Sequence, residues 1–254
     1  MISVKTPEEL VNMREGGKKL GSILRELLSM STVGVNLRDI EKVAASRIKE
    51  VGGLPSFTTV EGYPYVTCLC INEEVVHGVP RDYKLLDGDV LTIDIGMMYQ
   101  GLHTDTASSI LIGPTKDVKK VQFLKTGECA LVKAIEAAIA GHRVGDISHA
   151  IQQTIEPAGY HVVKDLTGHG LGRILHEEPM IPEYIDGDIG RTPLLVHGMT
   201  LAIEVIYAMG QGGICYKSDD EWTLASKDRS LTATFEHTIL VGDEKSDVLT
   251  KAEI

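Results

Sequence analysis

The sequence predicts an α+β fold of two similar halves, each with two helices outside a curved antiparallel sheet. Three observations predict it. Val90 to Ile112, VLTIDIGMMYQGLHTDTASSILI, reads as a long β-hairpin, apolar and β-branched at both ends with a turn in the middle. Segments with helical spacing of apolar residues come in pairs, one before this hairpin and one after it. Short segments also recur in the same order. VGVNLRDIEKV at 33–43 parallels VGDISHAIQQT at 144–154, and LLDGDVLTID at 85–94 parallels LLVHGMTLAIE at 194–204. DTASSILIG at 105–113 parallels EHTILVG at 236–242, with gaps. Such self-similarity implies a pseudo-twofold. We expect one domain over residues 1–254, with internal halves near 1–115 and 116–254.

Thr6-Pro7-Glu8-Glu9 is a capping box with Pro at the first helical position. The helix it opens should run to Met30, with Leu10, Met13, Leu20, Ile23, Leu24 and Leu27 near helical spacing. A second helix starts near Asn36 and stops at Gly52-Gly53. Residues 54–65 contain two prolines and read as loop and short strand. VTCLCINEEVVH at 66–77 reads as strand, turn, strand, ended by Val79-Pro80, and LLDGD leads into the hairpin. Pro114 opens the second half. A third helix is expected from Lys116 to Ala140, closed by Gly141, and a fourth from Asp146 to Glu156, before Pro157. Strands are expected at His161–Val163, at Arg191–Val196 as a link, at Thr200–Tyr207 and within Ser230–Val241. The Gly-rich GHGLGR follows the first of these.

The hairpin carries an acid in each arm. Gly101 supplies the positive φ that a two-residue turn at Gln100-Gly101 needs. Tyr99 then faces Leu102, and counting outward puts Gly96 opposite Asp105. Opposed residues share a face, as do residues two apart on a strand. Asp94 and Asp105 therefore lie on one face as diagonal neighbours, and Gly96 should leave space between them. Two carboxylates so placed in an apolar setting repel and lose solvation, so one keeps its proton or a cation sits between them.

The repeat adds two more acids, because Asp94 overlays on Glu204 and Asp105 on Glu236. A single acid in an apolar strand most simply sits on the wet face of an alternating pattern. Four at corresponding places, converging in one cleft, require divalent cations. Oxygen donors suit Mn, Fe, Co or Mg, and an imidazole moves the choice towards transition metals or Zn. His169 lies between glycines in GHGLG, where bare backbone lets a ligand approach, although a His there can also be a plain turn residue. His77 in VVHGVP and His176 in LHEEP sit where apolar runs end at turns, and either could be inert surface. His103 faces the same side as Asp105 and is a lesser candidate. Cys68 and Cys70 share a strand face. Without a second pair they read as core or pocket lining. Trp222 either rims a pocket or packs in the core. Lys116, Lys119, Lys120 and Lys125 read as a solvated helix face. HExxH, GxSxG and P-loop motifs are absent.

The formal net charge of −11 disfavours nucleic acid as the main partner. Four cysteines in 254 residues form no disulfide framework, so a reducing compartment is expected. MISVKTPEEL lacks the apolar core of a signal peptide, and no apolar run reaches membrane-spanning length. A cytoplasmic protein is expected.

Asp94, Asp105, His169, Glu204 and Glu236, in that order, resemble the five metal ligands of the type I methionine aminopeptidases. INEEVVHGVP, GHGLGR, HEEP, GMTLAIE and KDRSLTATFEHTI resemble that family's motifs, and the likeness runs from KTPEEL to EHTILV. The resemblance implies the pita-bread fold, with two pseudo-symmetric halves around a curved antiparallel sheet. It implies two divalent ions per chain (Co, Mn, Fe or Zn), with a bridging hydroxide that attacks the scissile carbonyl. Glu204 would take the water's proton besides ligating metal. His176 would stabilise the oxyanion, and His77 would hydrogen-bond the substrate amide or leaving amine. Tyr63, Cys68 and Trp222 would line the methionine pocket. The implied activity is removal of the initiator Met when the next residue is small. The implied partners are N-termini of nascent chains and a transient ribosome contact, with neither nucleic acid nor membrane, and we expect a monomer.

The chain departs from the family pattern at Thr104, where Gly is common, at Leu175, where an aromatic is common, and at Val205, where Pro is common. Leu175 could widen the methionine pocket. Two other readings share the fold: a proline-specific aminopeptidase, disfavoured by the short chain and the GYP…HGVP context, and a non-catalytic binding member, disfavoured by the five retained ligands.

Overall fold

The computed structural model describes residues 2–114, 117–217 and 220–252. The first helix, α1 (Pro7–Met30), begins at the expected capping box: Thr6 Oγ1 accepts from the Glu9 amide, and Glu9 accepts from the Thr6 N–H. Helix α2 (Leu37–Glu50) follows its N-cap Asn36. Then come β1 (Leu54–Pro55), β2 (Thr67–Ile71), β3 (Glu74–Val76) and the hairpin β4 (Val90–Tyr99) and β5 (Leu102–Leu111). Gln100 and Gly101 take φ of 50° and 77°, so the turn matches the strand twist. Tyr99 faces Leu102 and Gly96 faces Asp105, as the sequence predicts. Strand β4 also pairs with β1 and β2.

The second half has α3 (Val118–Ala137), α4 (Val144–Ile155), β6 (His161–Val162), β7 (Thr167–Gly170) and β8 (Glu177–Pro182). After these come β9 (Thr200–Ala208), β10 (Ile214–Tyr216), β11 (Leu224–Ser226), β12 (Thr232–Leu240) and β13 (Asp247–Val248). Strands β12, β9, β7 and β8 are successive neighbours in one antiparallel sheet. Strand β11 pairs with β3 of the first half.

Two expectations are corrected. Helix α3 is described from Val118, capped by Asp117, to Ala137. Its expected start at Lys116, and the boundary between halves at 115–116, lie outside the described residues. Helix α4 ends at Ile155, before Pro157 as expected, and a 3-10 turn, Glu156–Ala158, follows it. Arg191–Val196 is not a strand. Ile189–Arg191 forms a 3-10 turn, and the segment makes one isolated bridge, Arg143 to Leu194. Its backbone groups instead satisfy the chain entering α4. Val144 donates to the Pro193 carbonyl at 2.9 Å, Leu195 to His142 at 2.8 Å, and Gly141 to Leu195 at 3.0 Å.

That arrangement repeats in the first half. Leu37 donates to Tyr83 at 3.0 Å, Leu85 to Val35 at 2.9 Å, and Gly34 to Leu85 at 2.7 Å. The halves thus repeat in the backbone, but the helix register read in the sequence is corrected: Gly34 corresponds to Gly141 and Leu37 to Val144, not Val33-Gly34 to Val144-Gly145. Each helix pair buries its apolar face on its own sheet. Leu20, Leu27, Ile40 and Ile48 pack with Leu91, Ile93 and Ile95, while Phe123, Ile147 and Ile151 pack with Leu201, Ile203 and Val205. Strand alternation turns the intervening residues, Asp94 and Glu204 among them, to the opposite face.

The sheets meet along β5 and β12, joined by hydroxyls rather than a backbone ladder. Thr106 Oγ1 donates to the Glu236 carbonyl at 2.9 Å, and Ser109 Oγ to that of Thr234 at 2.9 Å. Thr238 Oγ1 accepts from the Asp105 amide at 2.8 Å and donates to its carbonyl at 2.7 Å. On the outside, Gly17 and Gly21 of α1 face the chain's last residues. A Cβ at Gly17 would stand 2.6 Å from the Leu249 carbonyl oxygen, and at Gly21 2.1 Å from that of Thr250. No helix among the described residues is long and apolar enough to cross a membrane.

Candidate active site

Five neighbouring strands each turn one donor side chain into a single cleft of about 350 Å³. Across the seam the order is Asp94 on β4, Asp105 on β5, Glu236 on β12, Glu204 on β9 and His169 on β7. Asp94 pairs with Ala107, two residues from Asp105, so these acids are diagonal neighbours as predicted. Glu204 and Glu236 are directly opposed. His169 pairs with Ala202, two residues from Glu204, and its Nε2 lies 3.6 Å from Glu204 Oε1. Ligand atoms of Asp105, His169 and Glu236 all lie within 4.8 Å of one another.

Gly96 serves a different purpose from the one expected. The room above it is filled, since a Cβ there would stand 2.8 Å from Phe57 Cε1 and 2.9 Å from Ser56 Cβ. The glycine admits the chain after β1, and with it Phe57, to the cleft wall.

The donors fit divalent cations. Asp94 Oδ1 and Glu236 Oε1 are buried without a hydrogen-bond partner, a costly state for a carboxylate unless a cation or proton neutralises it. Burial and the adjacent Asp105 push Asp94 well above the carboxylate range. Burial raises Asp105 to about 7, and burial together with neighbouring acids raises Glu204 and Glu236. His169 is poised as a ligand. Its Nδ1 lies 2.8 Å from the Gly170 carbonyl, which can only accept, so Nδ1 carries the proton and Nε2 presents a lone pair to the carboxylates. Burial holds His169 down at about 4, which keeps it neutral.

His77 and His176 line the same cleft. The His176 ring centroid is 4.5 Å from that of His169. Burial lowers both imidazoles, with His176 adding to the effect on His77, so both stay neutral at pH 7. His77 has φ of 57°, a strained conformation for a residue with a Cβ, of the kind that persists only where surroundings enforce it. Gly78 beside it packs on β2, where a Cβ would meet the Leu69 carbonyl oxygen at 2.4 Å. Val79 N–H donates to Thr223 Oγ1 at 3.2 Å, tying this turn to the segment that carries Trp222.

Tyr63, Cys68, Leu175, Phe57 and Trp222 form the apolar end of the cleft. Tyr63 and Trp222 meet edge to face at 5.0 Å, and Tyr63 Oη contacts Cys68 Sγ at 3.2 Å. Cys70 is buried and does not line the cleft. His103 does not line the cleft, and its Nδ1 is engaged with Ser56 Oγ at 2.8 Å. Lys119 and Lys125 are exposed, while Lys120 is half-buried and donates to the Gly88 carbonyl. Lys116 lies outside the described residues. All ten predicted site residues therefore border one cavity. Phe57, Thr223 and the seam hydroxyls Thr106, Ser109 and Thr238 escaped the sequence reading. The hydroxyl-rich runs TASS and TATFEHT were the available signal for the seam.

An antiparallel α+β fold with five acid and imidazole donors at its centre defines a metal-dependent hydrolase class, and the comparisons specify it. The chain belongs to metallopeptidase family M24, which it matches over residues 11–243, and it has the pita-bread fold. It is similar to the methionine aminopeptidase of Clostridium acetobutylicum, with 38% identity over 254 residues and 100% of both chains covered. The crystal structure of the Thermotoga maritima methionine aminopeptidase superposes with a TM-score of 0.94 at 40% identity, covering 99% of this chain and 100% of that one. Prolidase from Pyrococcus furiosus shares the fold at 23% identity, with a TM-score of 0.78, covering 99% of this chain and 66% of that one.

Proposed function

We propose that the chain is a single-domain aminopeptidase, built of two halves meeting near residue 115, that removes N-terminal methionine from newly made polypeptides in the cytoplasm. The convergence of five donors from five adjacent strands beside an apolar pocket carries this reading. Full-length similarity to methionine aminopeptidases supports it. Asp94, Asp105, His169, Glu204 and Glu236 would hold two divalent ions, with Co, Mn, Fe or Zn all compatible with the donor set. Bound there, the metal would acidify water and polarise the scissile carbonyl.

The chain's own residues supply the rest. Tyr63, Cys68 and Trp222 take the methionine side chain, whose thioether packs well on aromatic rings and sulfur. Glu204 accepts a proton from the attacking water and passes it to the leaving amine. His176 donates to the oxygen on which charge develops, and His77 to the amide being cleaved. Both are neutral donors, so neither repels the substrate's cationic α-amine. The acids draw that amine in, which restricts action to chain ends. Small second residues are favoured, and the protein works as a monomer with transient contact at the ribosome.

Hydrolysis of Met-Ala-Ser and of Ala-Pro peptides by chelated protein, after addition of Mn, Co or Fe, tests the assignment. Metal-dependent release of Met from the first and none from the second is expected. Cleavage of Ala-Pro alone would reassign the chain to proline-specific chemistry, and cleavage of neither would remove the catalytic reading.

A further inference from the structure

The loop that carries Leu175 and His176 is built on an ammonium group from the other end of the chain. Lys5 is buried, with 1% of its side chain exposed, and its Nζ lies 2.7 Å from Glu177 Oε2. It also donates to Ser3 Oγ at 3.2 Å. The second oxygen of Glu177 accepts the amides of Arg173 at 2.7 Å and Ile174 at 3.3 Å. Gly172 has φ of 145°, and a Cβ there would stand 2.1 Å from Lys5 Cε, so the loop closes around the lysine stem. Arg173 reaches out to both oxygens of Glu9, at 2.6 and 2.7 Å.

The loop needs such support. Strands β7 and β8 are out of step here: His169 pairs with Met180, but Gly170 pairs with Glu177. The two extra residues of that step, Glu178 and Pro179, lie on β8. Residues 171–176 form the loop between the strands, where the amides of Arg173 and Ile174 find their acceptor in Glu177. Glu177 is covalently next to His176. The Glu177 carboxylate is thus held on one oxygen by two backbone amides and on the other by an ammonium, and loss of that cation would leave its buried charge uncompensated. Lys5 is that cation, and its own backbone is held by donation to the Gly198 carbonyl at 3.2 Å.

We propose that Lys5, acting through Glu177, is a positioning residue that sets His176 against the cleft, which makes the segment before α1 a working part of the site. This rests on the reading of His176 as a substrate contact. The test compares Lys5→Met, Glu177→Gln, their double variant and His176→Ala in the full-length, metal-loaded protein with Met-Ala-Ser. Lys5→Met should lower kcat by about ten- to a hundredfold, as misplacement of a reacting-site group does, with KM within about twofold and metal stoichiometry unchanged. Glu177→Gln should lower kcat alone but raise it in the Lys5→Met background, because it removes the orphaned charge and keeps an acceptor for the two amides. If Lys5→Met fails to fold, the Glu177→Gln single variant decides, and a wild-type kcat there overturns the proposal. A wild-type kcat in folded Lys5→Met, with His176→Ala impaired, also overturns it. A wild-type kcat in His176→Ala instead removes the role assigned to His176.

Discussion

Glu204 and Glu236 face each other directly across β9 and β12, whereas Asp94 and Asp105 sit one diagonal apart across β4 and β5. The two halves therefore present their acid pairs in different registers, and the pseudo-twofold is broken where the chemistry lies. Diagonal placement does not part the aspartates: beyond burial itself, Asp105 is the neighbouring charge that raises Asp94 most, and Asp105 rather than Glu236 raises Glu204.

Loss of one acid should separate function from stability. Asp105→Ala and Glu204→Ala should each reduce turnover by about 10²–10⁴-fold, the range seen on removing a catalytic acid–base group. Metal-free Glu204→Gln should nonetheless melt above metal-free wild type at a pH where the acids are ionised, because one of the clustered carboxylates is gone. Initial rates with Met-Ala-Ser and thermal melts after chelation measure the two effects. Wild-type turnover in either alanine variant would contradict the site.

The raised acids set a pH dependence for the metal-free protein. Folding lifts Asp105 from the ordinary value of 3.8 to about 7, so the folded state binds more protons than the unfolded one between those pH values. That stabilisation is complete below pH 3.8 and fades as pH rises through about 7. Chelated protein should therefore lose thermal stability as pH rises from about 4 to about 7, and added Mn should reverse the slope. Metal uptake should also release protons, which calorimetry in buffers of different ionisation enthalpy would detect. Uptake without proton release would show that the acids are already ionised.

His77→Ala should impair catalysis while leaving metal content near normal, since His77 lies outside the donor cluster. Elemental analysis of the purified variant checks this, and a metal-free preparation would assign His77 a different role.

Leu175 closes the apolar pocket with Phe57, Tyr63 and Cys68. Leu175→Ala should cost about 2–5 kcal/mol of stability, as buried Leu truncations do. It should also relax the preference for Met over bulkier first residues. Denaturant melts and a peptide series with Met, Leu and Phe at the first position would show both.

Gly21→Ala should destabilise the protein by about 1–3 kcal/mol, the usual cost of overpacking, although alanine favours helix. The added methyl meets the Thr250 carbonyl, and that segment has nowhere to retreat without losing the Leu249 amide bond to Thr238. An unchanged urea midpoint would mean that the tail yields freely.

Much of the fold and the site is legible in the sequence, for identifiable reasons. The hairpin register follows from a two-residue turn and the period of two, so residue order alone dictates the Asp94–Asp105 relationship. The helices announce themselves through Thr6, Asn36 and their apolar spacing. Arg191–Val196 misleads because an apolar, extended run looks like a strand until its backbone partners are known, and those partners lie about fifty residues upstream at the start of α4. The role of Gly96 is equally hidden, because Phe57 approaches it from outside the hairpin. The Thr–Ser seam and the Lys5 brace join residues more than a hundred positions apart, and no local pattern encodes such contacts.

Surface loop tips usually absorb extra residues without harm. The Gln100-Gly101 tip is an exception, because everything beyond it is counted from that bend. One added residue that shifted the pairing of β5 would send Asp105 through to the helix side and bring Thr104, which carries no charge, into the cleft in its place. A frame error at a solvent-facing corner, far from any substrate, would then silence the protein while leaving its outline intact.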